Sequence, residues 1–116
     1  MRTITKKFSG LSGDTETFAM DLKVQEHSRQ TWEFYATGSA NIRIKLKSVF
    51  TEGTSEVDGS GSGATAGCDI QTIDLTDDVL TIVNFDMKLD HVRCTYDDDG
   101  TGDMSGTLYI KATTAK

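Results

Sequence analysis

Ile42-Arg43-Ile44-Lys45-Leu46-Lys47 alternates apolar and basic side chains for six residues without a break. Successive side chains of an extended strand point to opposite faces, so this segment places Ile42, Ile44 and Leu46 on a buried face and Arg43, Lys45 and Lys47 on the other. The same period of two recurs on both sides of it. Upstream, residues 17–24 set Phe18, Met20, Leu22 and Val24 against Ala19, Asp21 and Lys23, and residues 31–36 set Trp32 and Phe34 against Glu33 and Tyr35. Downstream, strands are expected at 70–75, with imperfect alternation, at 79–85, at 91–96 with Val92 and Cys94 on one face, and at 106–113 with Leu108 and Ile110 opposite Tyr109. The stretch 21–30 can be written as a helix, but its apolar residues fit period two better than 3.6.

Seven or eight short strands separated by turn residues predict an all-β fold. The expectation is an antiparallel β-sandwich, jelly-roll or Ig-like, with a small β-barrel as the alternative. One domain spans residues 1–116, long enough to bury about two-thirds of the surface of the extended chain. Residues 51–67, TEGTSEVDGSGSGATAG, hold Val57 as their one sizeable apolar residue and read as a flexible Gly/Ser-rich loop. The chain contains no proline, a common device for blunting edge strands, which leaves charges such as Arg43, Lys45 and Lys47 to do that work.

An apolar fraction of 36% is low for a globular chain and suits a thin sandwich, or one that buries further surface in an assembly. The net charge of −6 argues against nucleic-acid binding, because a phosphate backbone rewards a basic footprint. No apolar run is long enough for a spanning helix, and MRTITKKFSG lacks the apolar core of a signal peptide, so no membrane association is expected and synthesis is expected in the cytoplasm. Cys68 and Cys94 lie on separate expected strands outside any C-x-x-C pattern and read as free structural thiols, with a single intrachain bridge as the alternative.

Catalytic and cofactor motifs are missing from the sequence: it has no G-x-S-x-G, H-E-x-x-H, Walker loop or Rossmann fingerprint. His91 and Cys94 are three positions apart on one strand and so point to opposite faces, which argues against cysteine catalysis. GSGSG at 59–63 lacks the lysine and helix of a phosphate cradle. Asp77, Asp78, Asp86 and Asp90 read as strand and turn caps rather than a glycosidase pair.

Two features remain as candidate sites. Asp97-Asp98-Asp99-Gly100-Thr101-Gly102-Asp103 gathers hard oxygen ligands around a glycine turn, so Asp97, Asp99 and Asp103 are the residues to test for calcium. Leu108 stands where such a loop is usually closed by a carboxylate, which favours a solvated hairpin tip and no cofactor. The outward stripe Arg43, Lys45 and Lys47, together with Tyr35 and Tyr109, is the candidate partner surface; its plainer reading is a face neutralised by acids of neighbouring strands such as Glu33 or Asp21.

The segments Trp32–Leu46, His91–Tyr96 and Ser105–Ile110 carry a resemblance to small all-β virion structural proteins of tailed bacteriophages. In that group a short N-terminal strand, a W-x-F-x-A-T-G-S-A-x-I-x-I-x-L-like segment and a closing V-R-x-x-Y and S-G-T-L-x-I strand pair recur. The resemblance implies a non-enzymatic virion protein, a capsid decoration (cement) protein or a head or tail accessory protein. It would bind capsid or tail subunits as a homo-oligomer, with a trimer favoured. The alternative is a monomeric carbohydrate- or receptor-binding β-sandwich, assisted by calcium.

Overall fold

The computed structural model describes residues 2–23, 29–52, 55–57, 67–86 and 91–115. These residues form strands and connecting loops and contain no helix. In chain order the strands are β1 (Arg2–Phe8), β2 (Thr17–Lys23), β3 (Arg29–Thr37), β4 (Ile42–Ser48), β5 (Phe50–Glu52), β6 (Ser55–Val57), β7 (Cys68–Asp74), β8 (Thr81–Phe85), β9 (His91–Asp98) and β10 (Thr107–Ala115).

Eight of them make two four-stranded antiparallel sheets, sheet A in the order β1-β10-β3-β8 and sheet B in the order β2-β9-β4-β7. Successive strands alternate between the sheets from β1 to β4 and again from β7 to β10, while the pairs β1·β10, β2·β9, β3·β8 and β4·β7 run antiparallel. That is the topology of one long antiparallel ribbon wound into a sandwich, a jelly roll rather than an Ig-like fold or a closed barrel. The hairpin β5·β6 sits at the tip of the ribbon, largely within the stretch 51–67 expected to be a flexible loop; residues 53–54 and 58–66 of that stretch lie outside the described residues.

The core lies between the sheets and is made by the alternation that predicted the strands. Sheet A contributes Trp32, Phe34, Leu108 and Ile110, and sheet B contributes Leu22, Ile42, Ile44, Leu46, Val92 and Cys94, all almost wholly buried. The Trp32 indole N–H donates to Gln30 Oε1 at 3.1 Å, which keeps its polar atom bonded inside the core. Two side chains of β2, Phe18 and Ala19, depart from the expected facing, Ala19 being buried with the core. Phe18 and Met20 pair with the adjacent residues Thr95 and Cys94, so Ala19 is an extra residue in β2. The bulge reverses the parity of the strand, and Phe18 lies outside the core over the Arg93 guanidinium, 5.7 Å from its ring centroid.

At one end of the sandwich the loops are tied to one another by the backbone. Met104 N–H donates to Gly13, Leu11 N–H to Gly106 and Asp78 N–H to Ala36. Asp77 caps the β3–β4 turn by accepting from Ala40 N–H at 2.8 Å. Asp86 pairs with Arg29 at 3.4 Å and Asp78 accepts from the Tyr35 hydroxyl at 3.4 Å, so three of the acids read as caps have structural partners; Asp90 lies outside the described residues.

Candidate functional site

The two outer faces differ in character. On sheet B, Arg43, Lys45 and Lys47 do share one face, as the alternation requires, but each is ion-paired within the chain. Arg43 binds Asp74 of β7 through two hydrogen bonds of 2.7 and 3.2 Å. Lys45 lies 3.5 Å from Glu16, and Lys47 lies 2.5 Å from Glu16 and 3.8 Å from Asp69. Glu16 belongs to the β1–β2 loop and also accepts from Thr95 Oγ1 at 2.8 Å. Burial raises the Glu16 carboxyl, yet the hydrogen bonds from Lys47 and Thr95 and the two lysine charges outweigh it and hold the group below its usual range. Lys47 is itself buried, so the expectation of a basic docking stripe is corrected at that residue. Among the described residues Asp74, Asp69 and Glu16 lie against these cations, whereas Glu33 faces Lys111.

Asp21 instead serves β9. Its carboxylate accepts from the Arg93 guanidinium at 2.8 and 3.1 Å and lies 3.1 Å from His91 Nε2. Burial again raises the carboxyl, while Arg93 and His91 more than reverse it. Among the described residues these acids and cations pair with one another across the outer face of sheet B.

The outer face of sheet A sets exposed apolar side chains among threonines and a few charges. Tyr35 of β3 and Tyr109 of β10 are directly opposed across the strands, with ring centroids 6.1 Å apart. Leu80, from the β7–β8 loop, joins them along a shallow groove of about 210 Å³ that Thr5, Glu33, Ile110 and Lys111 complete. Of the large apolar side chains exposed among the described residues, Val79, Leu80, Ile82 and Tyr109 belong to sheet A or to the loop entering it; Phe18 alone belongs to sheet B. Lys7 caps the Tyr109 ring at 5.5 Å, and Lys111 faces Glu33 at 3.9 Å. The tyrosines and the basic stripe, expected to share a surface, thus lie on different sheets.

In the acidic hairpin the carboxylates are occupied by their own loop. Asp97 accepts from Asp98 N–H, Asp98 from Gly100 N–H, and Asp99 from Thr101 N–H and hydroxyl. The Thr101 bonds lower the Asp99 carboxyl, whereas burial and the adjacent Asp98 raise that of Asp97. Asp103 enters through its backbone, its carbonyl accepting from Asn41 Nδ2 at 3.2 Å. Among the described residues no three acidic, histidine or cysteine side chains converge on a metal-holding arrangement.

His91 and Cys94 do face opposite sides of β9: the imidazole meets Asp21, and the thiol is in the core. Both cysteines are free, Cys68 exposed and Cys94 buried, and burial pushes the Cys94 thiol well above its ordinary range. A thiol reagent is expected to modify one cysteine per native chain and two after denaturation, with peptide mapping placing the first label on Cys68. Labelling of Cys94 under native conditions at a comparable rate would show that the sheets separate readily.

The fold and its surfaces define a class: an eight-stranded jelly roll with ion-paired residues on one outer face and, on the other, a small cluster of exposed apolar side chains among polar and charged ones. No family model matches the sequence, and no curated protein matches it. Among solved structures, it is similar to the SPBc2 prophage-derived protein YomS, with a TM-score of 0.58 and 14% identity over 100% of this chain and 96% of that one. It is similar also to a subunit from Bacillus endospore appendages, described as disulfide-linked pili, with a TM-score of 0.56 and 10% identity over 99% of this chain and 87% of that one. At such identities the likeness is one of fold.

Proposed function

We propose that this chain is a non-enzymatic structural subunit of a phage-type particle, a capsid-decoration or head or tail accessory protein. In this reading it binds other virion subunits through the outer face of sheet A, in repeated copies. The observation that carries the reading is the concentration of Tyr35, Leu80, Ile82 and Tyr109 on one outer face, while Arg43, Lys45, Lys47 and Arg93 of the other are ion-paired within the chain. Exposed apolar side chains gathered on one face and rimmed by polar groups mark a protein contact, and tyrosine is a favoured anchor. Repetition in a particle makes a modest contact strong through avidity. The likeness in fold to a prophage-derived protein and to an appendage subunit lends support, as does the sequence resemblance to small all-β virion proteins.

The test is incorporation into particles. Virions purified on a density gradient from the producing lysate are expected to contain the chain by mass spectrometry. Leu80→Glu with Tyr109→Glu is expected to remove it from the particle fraction at least tenfold, since each anchor contributes roughly 1.5–3 kcal/mol when buried. The melting temperature should move little, because both side chains are exposed. A wild-type chain that stays entirely in the soluble fraction would overturn the proposal. Binding of the monomer to a glycan array, abolished by Tyr109→Ala, would replace it with carbohydrate recognition on the same tyrosine pair.

A further inference from the structure

The sandwich has four edge strands, β1 and β8 in sheet A and β2 and β7 in sheet B, and an open edge is a template for another strand unless something blunts it. Three are blunted. Strand β1 carries Arg2, Lys6 and Lys7 and no acid, so two copies of it would repel. Strand β2 is bulged at Ala19 and carries Asp21 and Lys23. Strand β7 is bulged at Ile70, because Leu46 and Lys47 pair with Gln71 and Asp69, and its charges, Asp69 and Asp74, are both acidic. Strand β8, Thr81-Ile82-Val83-Asn84-Phe85, has no such protection: it is uncharged, contains no proline and pairs with β3 in unbroken register. No described strand covers its other edge, and Ile82 is 53% exposed there.

We infer that β8 is a self-association edge, at which a second copy of this chain adds its own β8 antiparallel about a two-fold axis and joins two copies of sheet A into one eight-stranded sheet. The occupant follows from charge. Of the four edges, β8 can meet its own copy without placing like charges opposite one another and without a bulge breaking the ladder. Antiparallel pairing about Val83 sets Ile82 beside Asn84 of the second copy on the outer face, next to the groove lined by Leu80 and Tyr35. The two Ile82 side chains become diagonal neighbours across the seam, each flanked by Asn84 of the other copy. The resulting assembly unit is a dimer, in place of the trimer favoured from the sequence. It does not depend on which particle the chain joins.

Sedimentation or light scattering over a dilution series tests it. The wild-type protein is expected at about twice the 12.6 kDa of one chain, falling toward the single-chain mass on dilution. Ile82→Lys with Asn84→Lys, and separately Ile82→Glu with Asn84→Glu, are each expected at the single-chain mass with an unchanged far-ultraviolet circular dichroism spectrum, because both side chains are exposed. Mixing the Lys variant with the Glu variant is expected to restore the doubled mass, which simple loss of folding would not. Leu80→Glu with Tyr109→Glu should leave the dimer intact, so failure of the particle contact and failure of the edge are read separately. A wild-type protein at the single-chain mass throughout the series, a Lys variant that remains dimeric, or a mixture that stays at the single-chain mass would each overturn the inference.

Discussion

Gly106→Ala is expected to lower the free energy of unfolding by about 2–5 kcal/mol, and the melting temperature by on the order of 10–20 °C. Two costs combine. Gly106 has φ of +77°, in the left-handed region that an L side chain enters at a cost of about 1–2 kcal/mol. A Cβ there would also lie 2.0 Å from the Thr37 carbonyl oxygen and 3.1 Å from Gly38 Cα, distances no rotamer change can relieve, because both neighbours are backbone. The close approach exists because β10 begins where β3 ends: Thr107 pairs with Thr37, and Gly38 turns the chain away immediately above Gly106. Yielding there would pull on the β3·β10 ladder that carries Trp32, Phe34, Leu108 and Ile110 into the core. Gly100→Ala is the control, since Gly100 has φ of +86° with nothing within 4 Å of an added Cβ, and only the conformational cost, about 1–2 kcal/mol, applies. Denaturant melts of the two variants should separate clearly. Coincident midpoints would mean that the strands stand further apart at this turn than the structure has them.

The same contrast between local pattern and long-range approach explains what could be read from the sequence. The alternation of Ile42, Ile44 and Leu46, of Trp32 and Phe34, and of Leu108 and Ile110 is local, and it places strands and core side chains with no knowledge of their partners. Strand β1 escapes that reading from the residues alone. Its inward parity carries Ile4, Lys6 and Phe8, and a lysine in the middle dilutes the signal; as an edge strand, β1 can hold Lys6 at the mouth of the gap between the sheets, beside Phe18 and Met20. Bulges are equally opaque to periodicity. In a regular strand Asp69 and Asp74, five positions apart, would point to opposite faces, and only the extra residue at Ile70 brings both to the side of the basic stripe. Glu16 is a loop residue, so no periodicity could assign it to Lys45 and Lys47. Spare acids near a regular row of cations were the one available hint. The apolar face of sheet A was half legible: Tyr35 and Tyr109 were outward by alternation, but their pairing depends on the register of β3 with β10, strands separated by most of the chain.

Asp21→Ala is expected to cost about 3 kcal/mol, at the lower end for breaking a buried ion pair, because the Asp21 side chain keeps 19% of its exposure. The Arg93 side chain is only 4% exposed and donates two hydrogen bonds to the Asp21 carboxylate; truncating that acceptor leaves a guanidinium in a site shaped around a negative charge. Asp21→Asn, which keeps the shape and one acceptor, should cost less, about 1–3 kcal/mol. The pH dependence has a definite sign. Folding holds the Asp21 carboxyl below its unfolded value, so between the two values the unfolded chain binds more protons and stability rises with pH. The contribution is complete above the unfolded carboxylate range, near pH 4, and is lost as pH falls through the lower folded value. Glu16 is shifted the same way and adds to the effect. Melting temperatures measured from about pH 7 downward should therefore fall through the acid range for the wild-type protein, and less steeply for Asp21→Ala, so that the two curves converge. Parallel curves would mean that the Asp21 charge contributes nothing net to folding. Convergence would show that the Asp21 charge, held by Arg93 and His91, stabilises the fold.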